Sequence, residues 1–225
     1  MVTFHVITLF PESLASYISE SILSRAQEKK LIQIKTYTPR DYAEIVGENG
    51  WRKKVDGRPY SGGPGMVLLP GPVLRAVAKA KGRASAKKKI KVIIFSPGGT
   101  NFTNTYAKGC IDKKYTDIIL ICGRYEGIDA RVKKILKAED VSIGEYVLTG
   151  GELPAMVFMD AVSRQIEGVL GKFASLEENR ISSHEVYTRP EVFVYQKKKY
   201  KVPEVLLSGD HKKIEEWKKQ KKNNT

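Results

Sequence analysis

The 225-residue chain is long enough for one large domain or a domain with a small appendage, and its two cysteines, Cys110 and Cys122, lie outside any CxxC spacing and exclude a disulfide framework. Its three histidines, His5, His184 and His211, are too scattered for a zinc pattern, and no apolar run approaches the length of a membrane span. The formal net charge of +14, with lysine clusters at 87–89, at 197–199 and in the tail, either attracts a polyanion or is only a solvated lysine-rich surface; charge alone leaves both open.

The opening MVTFHVITLF alternates apolar residues from Thr3 to Phe10 and reads as a strand. It lacks the basic start and small-residue cleavage site of a secretory leader, so the expectation is a soluble protein of the reducing cytoplasm. Pro11 is followed by helical spacing from about Ser13 to Lys30, with Leu14, Ile18, Ile22 and Ala26 on one face, and then by a second strand over Leu31–Tyr37. Next comes YSGGPGMVLLPGP, residues 60–72, with four Gly and three Pro in a stretch poor in ordinary side chains. A helix is expected over Pro72–Lys81. KVIIF (91–95) and DIILIC (117–122) are short continuous apolar runs of the kind buried on both faces of a parallel sheet. The alternation predicts an α/β fold with its ligand at the carboxyl ends of the strands.

The unusual segments begin at those ends. Phe95 is followed by SPGGTNF, Cys122 by GRYEGID, and the Asp140 region by SIGEYVLTGGELPAM. One such loop is only a tight turn, but three of this composition converge naturally on one small molecule, because Gly allows close backbone approach. PAMVFMDAVSRQI (154–166) has helical spacing and ends near Arg164. The polar tract 168–183 reads as an interdomain loop, giving a first domain at 1–167 and a small basic module at 184–225.

Several chemistries are disfavoured. GGPGM is not followed by GK[ST], no GxGxxG opens a helix after a strand, and GxSxG is absent, so phosphate-loop, dinucleotide and serine-hydrolase readings have no support.

VDGRPYSGGPGM, ICGRYEGIDARV, SIGEYVLTGGELPAM, DAVSRQIEGVLG, YTRPEV and LLSGDH, in that order, make the chain from about Thr8 to Trp217 similar to the bacterial tRNA (guanine-N1)-methyltransferases of the SPOUT superfamily. The resemblance implies S-adenosylmethionine as methyl donor and N1 of the guanine 3′ of the anticodon, position 37 of tRNA, as acceptor. It also implies a deep trefoil knot, which strand and helix patterns do not predict, a shortened C-terminal helical module, and a homodimer whose active site lies between subunits.

Carried over by motif, the donor site is Phe95, Ser96 and Pro97; Gly123, Tyr125, Glu126 and Gly127; and Ser142, Ile143, Gly144, Tyr146, Leu148, Gly150, Gly151 and Pro154. The resemblance makes Arg164 the cation for guanine O6. It places the general base in the LEENRI tract, where Asn179 stands at the family's Asp and Glu178 is the adjacent carboxylate. It assigns Arg58, Tyr187, Thr188 and Arg189 to tRNA, with no metal. The family's terminal unit usually continues beyond the point where this sequence reads EEWKKQKKNNT. The other readings are a non-catalytic RNA-binding relic of the fold and a related ribosomal RNA methyltransferase.

Overall fold

The computed structural model describes residues 1–46, 52–60, 62–83, 88–170 and 185–222. The chain divides into two compact units, Met1–Lys172 and Phe173–Thr225.

The first unit is built on five strands: β1 (Val2–Ile7), β2 (Ile32–Tyr37), β7 (Ile90–Asn101), β8 (Asp117–Ile121) and β9 (Glu139–Ser142). They form one sheet in the order β2-β1-β8-β7-β9, and every pairing is parallel. Side-chain alternation sends Phe4, Val6, Ile93, Ile118 and Leu120 to one face and Ile7, Val92, Ile94, Ile119 and Ile121 to the other. Both faces are covered, which is why these strands read as unbroken apolar runs.

On the first face lie α1 (Glu12–Ile18), α2 (Ser21–Glu28), α4 (Asn104–Asp112) and α6 (Glu152–Arg164), contributing Leu14, Leu23, Ala107 and Phe158. On the second lie α3 (Pro70–Lys81) and α5 (Ala130–Leu136), contributing Val73, Ala76, Val77 and Val132. Each fully buried Leu, Ile or Phe contributes about 1.5–3 kcal/mol by leaving water. Small antiparallel pairs, β3 (Glu44–Val46) with β4 (Arg52–Lys54) and β5 (Asp56–Gly57) with β6 (Val67–Leu68), sit between β2 and α3 in the chain.

The structure departs from the sequence-based expectations in three places. The helix expected over 13–30 is two helices. Ser19 turns its hydroxyl back to the Ser16 carbonyl, Ser21 takes a left-handed φ of 50°, and the Gln27 amide closes on the Ile18 carbonyl at 2.8 Å. Local side-chain bonds have replaced the helix ladder. The loop expected after Phe95 is an excursion within β7: Phe95 and Thr100 both pair with Val141, so Ser96–Gly99 bulges from a ladder that then resumes. The second unit, expected to be helical, opens with a hairpin, β10 (Val192–Tyr195) and β11 (Lys198–Lys201), before α7 (Glu204–Leu207) and α8 (His211–Lys222).

One polar cluster is built into the sheet. His5, 4% exposed, bonds Asp117 through Nε2 at 2.9 Å and Tyr37 Oη through Nδ1 at 3.0 Å. Burial pushes the imidazole below its ordinary 6.5 and outweighs the raising effect of Asp117. Burial raises Asp117, but its bonds from His5 and Thr116 win and hold it below 3.8. Both groups therefore bind fewer protons when folded than when unfolded, and stability falls as pH falls. We expect the urea midpoint to drop as pH decreases from neutral through about 6.5, and again below about 3.8, with His5→Gln flattening the first decline. A midpoint unchanged between neutral pH and about pH 5 would refute this.

A candidate methyl-donor cleft at the carboxyl ends of three strands

The strand order places β7 between β8 and β9, so the chain leaves β7 through α4 to one neighbour and reaches the other from β8 through α5. A crevice opens at such a reversal. Here it is a cleft of about 500 Å³ lined by segments 94–97, 123–130 and 140–154. That volume is ordinary for a small-molecule site, about 300–1,000 Å³.

Every residue assigned to the donor by motif lines this cleft. Phe95, Ser96 and Pro97 come from the β7 bulge, and Gly123, Tyr125, Glu126 and Gly127 from the loop after β8. Ser142, Ile143, Gly144 and Tyr146 follow β9, and Leu148, Gly150, Gly151 and Pro154 lead into α6. Motif reading missed Arg124, Asp129, Lys133 and Asp140, which also line it. Asp129 carries a sequence signal, a helix-capping residue directly before an apolar-spaced segment; the others needed the fold.

Glycine is required where the segments cross. A Cβ on Gly151 would stand 2.6 Å from Cys122 Cα, and one on Gly99 would stand 2.5 Å from the Asp140 carbonyl carbon and the Val141 nitrogen. The Gly151 amide donates to Gly123 O at 3.0 Å, fastening the third loop to the second. The YSGGPGM segment has a backbone role in the same assembly. Glu126 N donates to Met66 O at 3.0 Å, Leu68 N to Gly127 O at 3.0 Å, and Asp129 N to Leu68 O at 3.1 Å. A Cβ on Gly65 would fall 2.5 Å from Glu126 Oε1. Its small residues thus let one edge of the cleft close against the loop after β8.

A buried charge pair ties these loops to the first strand. Arg124 Nη2 lies 2.9 Å from Glu152 Oε2, and Glu152, 3% exposed, accepts the Thr8 hydroxyl at 2.6 Å. The guanidinium packs 4.5 Å over the Phe10 ring. Glu152 occupies the first turn of α6, while Asp129 accepts from Arg131 N at 2.9 Å at the start of α5. Asp129 is held below the usual carboxylate range by its bonds from Arg131. The start of α5 is thus capped by the Asp129 carboxylate, whereas α6 has no side-chain cap and its first-turn carboxylate, Glu152, turns to Thr8 and Arg124 instead. The wall carries Glu126, Asp129 and Asp140 with Arg124 and Lys133, and two of these acids are paired, Asp140 with Lys133 and Asp129 with Arg131. Cys122 and Cys110 are not thiolate nucleophiles, since burial raises both, Cys110 to about 11.

The remaining assigned residues lie elsewhere. Arg164 is the last residue of α6 and half-buried. Arg58 is exposed, as are Tyr187, Thr188 and Arg189 in the second unit, where the Tyr187 ring lies 6.3 Å from that of Trp217. Glu178 and Asn179 fall outside the described residues.

The family model for tRNA (guanine-1)-methyltransferase TrmD matches residues 2–225. The chain belongs to this family. Curated tRNA (guanine-N(1)-)-methyltransferases similar to it include that of Dechloromonas aromatica, 45% identical over 223 residues, covering 96% of this chain and 84% of the relative. Another is from Clostridioides difficile, 43% identical over 221 residues, covering 96% and 90% of the two chains. A third, from Bacillus subtilis, is 43% identical over 215 residues, covering 94% and 83%. Among the described residues no helix is long and apolar enough to cross a membrane.

Gly151→Ala forces a Cβ into the Cys122 backbone, whereas a Cβ on Gly98 meets nothing within 4 Å. We expect Gly151→Ala to lower unfolding free energy by about 1–3 kcal/mol or more and Gly98→Ala to change it by no more than about 0.5 kcal/mol. Equal urea midpoints for the two variants would show that the crossing tolerates a side chain.

Proposed function

We propose that the chain catalyses S-adenosylmethionine-dependent methylation of N1 of the guanine 3′ of the anticodon in tRNA. The observation that carries this reading is the glycine-walled cleft at the strand ends, in a chain of the TrmD family. A non-catalytic RNA binder would have no use for such a cleft. S-adenosylmethionine, when bound, supplies a methyl carbon made electrophilic by a positively charged sulfur. The residues' first task is to fix geometry, since holding reactants in a near-attack arrangement lowers a barrier by about 7–11 kcal/mol. The backbone of 95–97, 123–127 and 142–151 performs it, with Glu126 and Asp129 as counter-charge.

The second task is proton removal, because guanine N1 is a poor nucleophile until its proton leaves. An Asn amide cannot accept that proton, so we assign it to Glu178, with Asn179 orienting the base. Arg164 supplies a cation where charge collects on O6. Arg58, Tyr187, Thr188 and Arg189 contact the RNA. We read the passage of the 143–151 segment against the Cys122 backbone as part of a trefoil knot. Tyr146, Val147, Leu153 and Val157, 46–83% exposed, support a homodimer. The domain bounds are 1–167 and 184–225, and the compartment is the cytoplasm, where tRNA is processed.

Incubating unmodified tRNA with the protein and S-adenosylmethionine should yield 1-methylguanosine by mass spectrometry of the nucleosides. No methylation, together with no calorimetric heat from S-adenosylhomocysteine, would overturn the reading. Glu178→Gln should lower the single-turnover rate by roughly 10²–10⁴-fold with donor affinity unchanged, and Asn179→Asp should keep or raise the rate. Full activity in Glu178→Gln would move the base elsewhere.

The tail, residues 211–225, holds six Lys against two Glu. Deleting it should weaken tRNA binding and flatten its salt dependence while sparing donor affinity. Unchanged tRNA affinity would return the tail to a solvated surface.

A further inference from the structure

The hairpin that opens the second unit has a composition and a face that the donor cleft does not explain. Its register pairs Phe193 with Tyr200 and Tyr195 with Lys198. Strand alternation therefore puts these four side chains on one face, and Val192, Val194, Lys199 and Lys201 on the other. The rings are half open: Phe193 is 57%, Tyr195 56% and Tyr200 48% exposed. Lys198 Nζ sits 5.7 Å from the centre of the Tyr200 ring, adding a cation to the aromatic surface. The turn is unusual as well. Gln196 and Lys197 have φ of 48° and 64°, the signs of the tight hairpin turn that Asn-Gly ordinarily makes. Two residues with side chains hold a conformation that disfavours them, and the second extends the lysine run 197–199 across the tip.

Cross-strand pairing of Phe193 and Tyr200 steadies the hairpin, but it does not account for rings left half exposed beside Lys198, in a hairpin with four lysines and no acidic residue between 192 and 201. Aromatic faces interleaved with cations have a chemical counterpart in unpaired nucleobases on a phosphate backbone: each base offers a π-face for stacking, and each phosphate a charge for lysine. A protein partner would have to bring acidic groups to the same flat surface, and nothing in the hairpin selects for them. We propose that the Phe193–Tyr195–Lys198–Tyr200 face is a stacking platform for unpaired bases of RNA, distinct from Tyr187–Arg189 and from the lysine tail. This partner class rests on the tRNA reading above, but the platform does not require methyl transfer.

The full-length protein is titrated with an RNA stem-loop and with the same stem-loop carrying abasic loop nucleotides, so that phosphate charge is constant and only the bases differ. The wild type should prefer the intact loop. In Phe193→Ala/Tyr195→Ala/Tyr200→Ala that preference should shrink by about 5-fold or more, since removing one stacking ring costs about 5- to 150-fold in affinity, while the salt slope stays unchanged. Lys197→Gln/Lys199→Gln should instead reduce the salt slope and keep the preference. The indole resonance of Trp217, packed near Tyr187, checks that the unit remains folded. If it shifts, the milder Tyr195→Leu and Tyr200→Leu, which keep apolar bulk without an aromatic face, must each reduce the preference.

An unchanged preference in a folded variant overturns the platform. So does ring-dependent binding to anionic vesicles without ring-dependent RNA binding, or ring-dependent self-association in sedimentation with RNA affinity intact. Ring-dependent loop binding in a protein that methylates no tRNA would leave the platform standing and remove only the enzymatic reading.

Discussion

The close approach of Gly151 to the Cys122 backbone is the constraint on which the rest of the first unit depends. A side chain there would hold the third loop away from the second, and the three strand ends would no longer share one cleft. The same demand recurs at Gly99 against Asp140 and Val141, where the β7 bulge folds back over β9. Beside these contacts lies the buried Glu152, which accepts from Thr8 at Oε1 and has Arg124 Nη2 2.9 Å from Oε2. Removing one partner of such a pair leaves an uncompensated charge, which is strongly destabilising. Geometry and electrostatics thus restrain the same loops, one by excluding atoms and the other by pairing charges.

Charge is distributed in two opposing ways. The chain as a whole is strongly basic, +14, yet the cleft wall carries more carboxylates than cations. Long-range attraction of a polyanion and short-range recognition of a positively charged small molecule can coexist, because surface fields are screened over about 8–10 Å whereas contacts within a cleft are not. At the start of α5 the Asp129 carboxylate caps the helix and takes the Arg131 amide.

The hairpin and helices of the second unit follow a different economy. Its strands are largely exposed, and a ring contact between Tyr187 and Trp217 joins the segment before the hairpin to α8. A two-stranded ribbon is marginal by itself.

The sheet was legible in the residues because its strands are buried on both faces, so KVIIF and DIILIC could hardly be anything else. The three glycine-rich segments were legible as neighbours around one cleft, although the first is a bulge within β7 and not a loop after it. The order of the motifs carried the family and, with it, residues that line the cleft. Local pattern misread the break at Ser19–Ser21, because helical spacing persists across it while side-chain bonds to the backbone end the first helix. It also missed the resumption of β7 beyond its bulge, since pairing with β9 is a contact between distant segments.

What the sequence by itself determined is therefore the α/β class, the loops at the strand ends, the basic surface and the identity of the family, all properties of local period, composition and motif order. Only the tertiary structure decided which charges meet. Arg124 with Glu152, Thr8 with Glu152, and His5 with Asp117 are separated by 28, 144 and 112 positions, and no local rule selects those partners. It likewise decided why Gly151 and Gly99 must be glycine. The atoms that would collide belong to other strands, and excluded volume between distant segments exists only once the chain has folded.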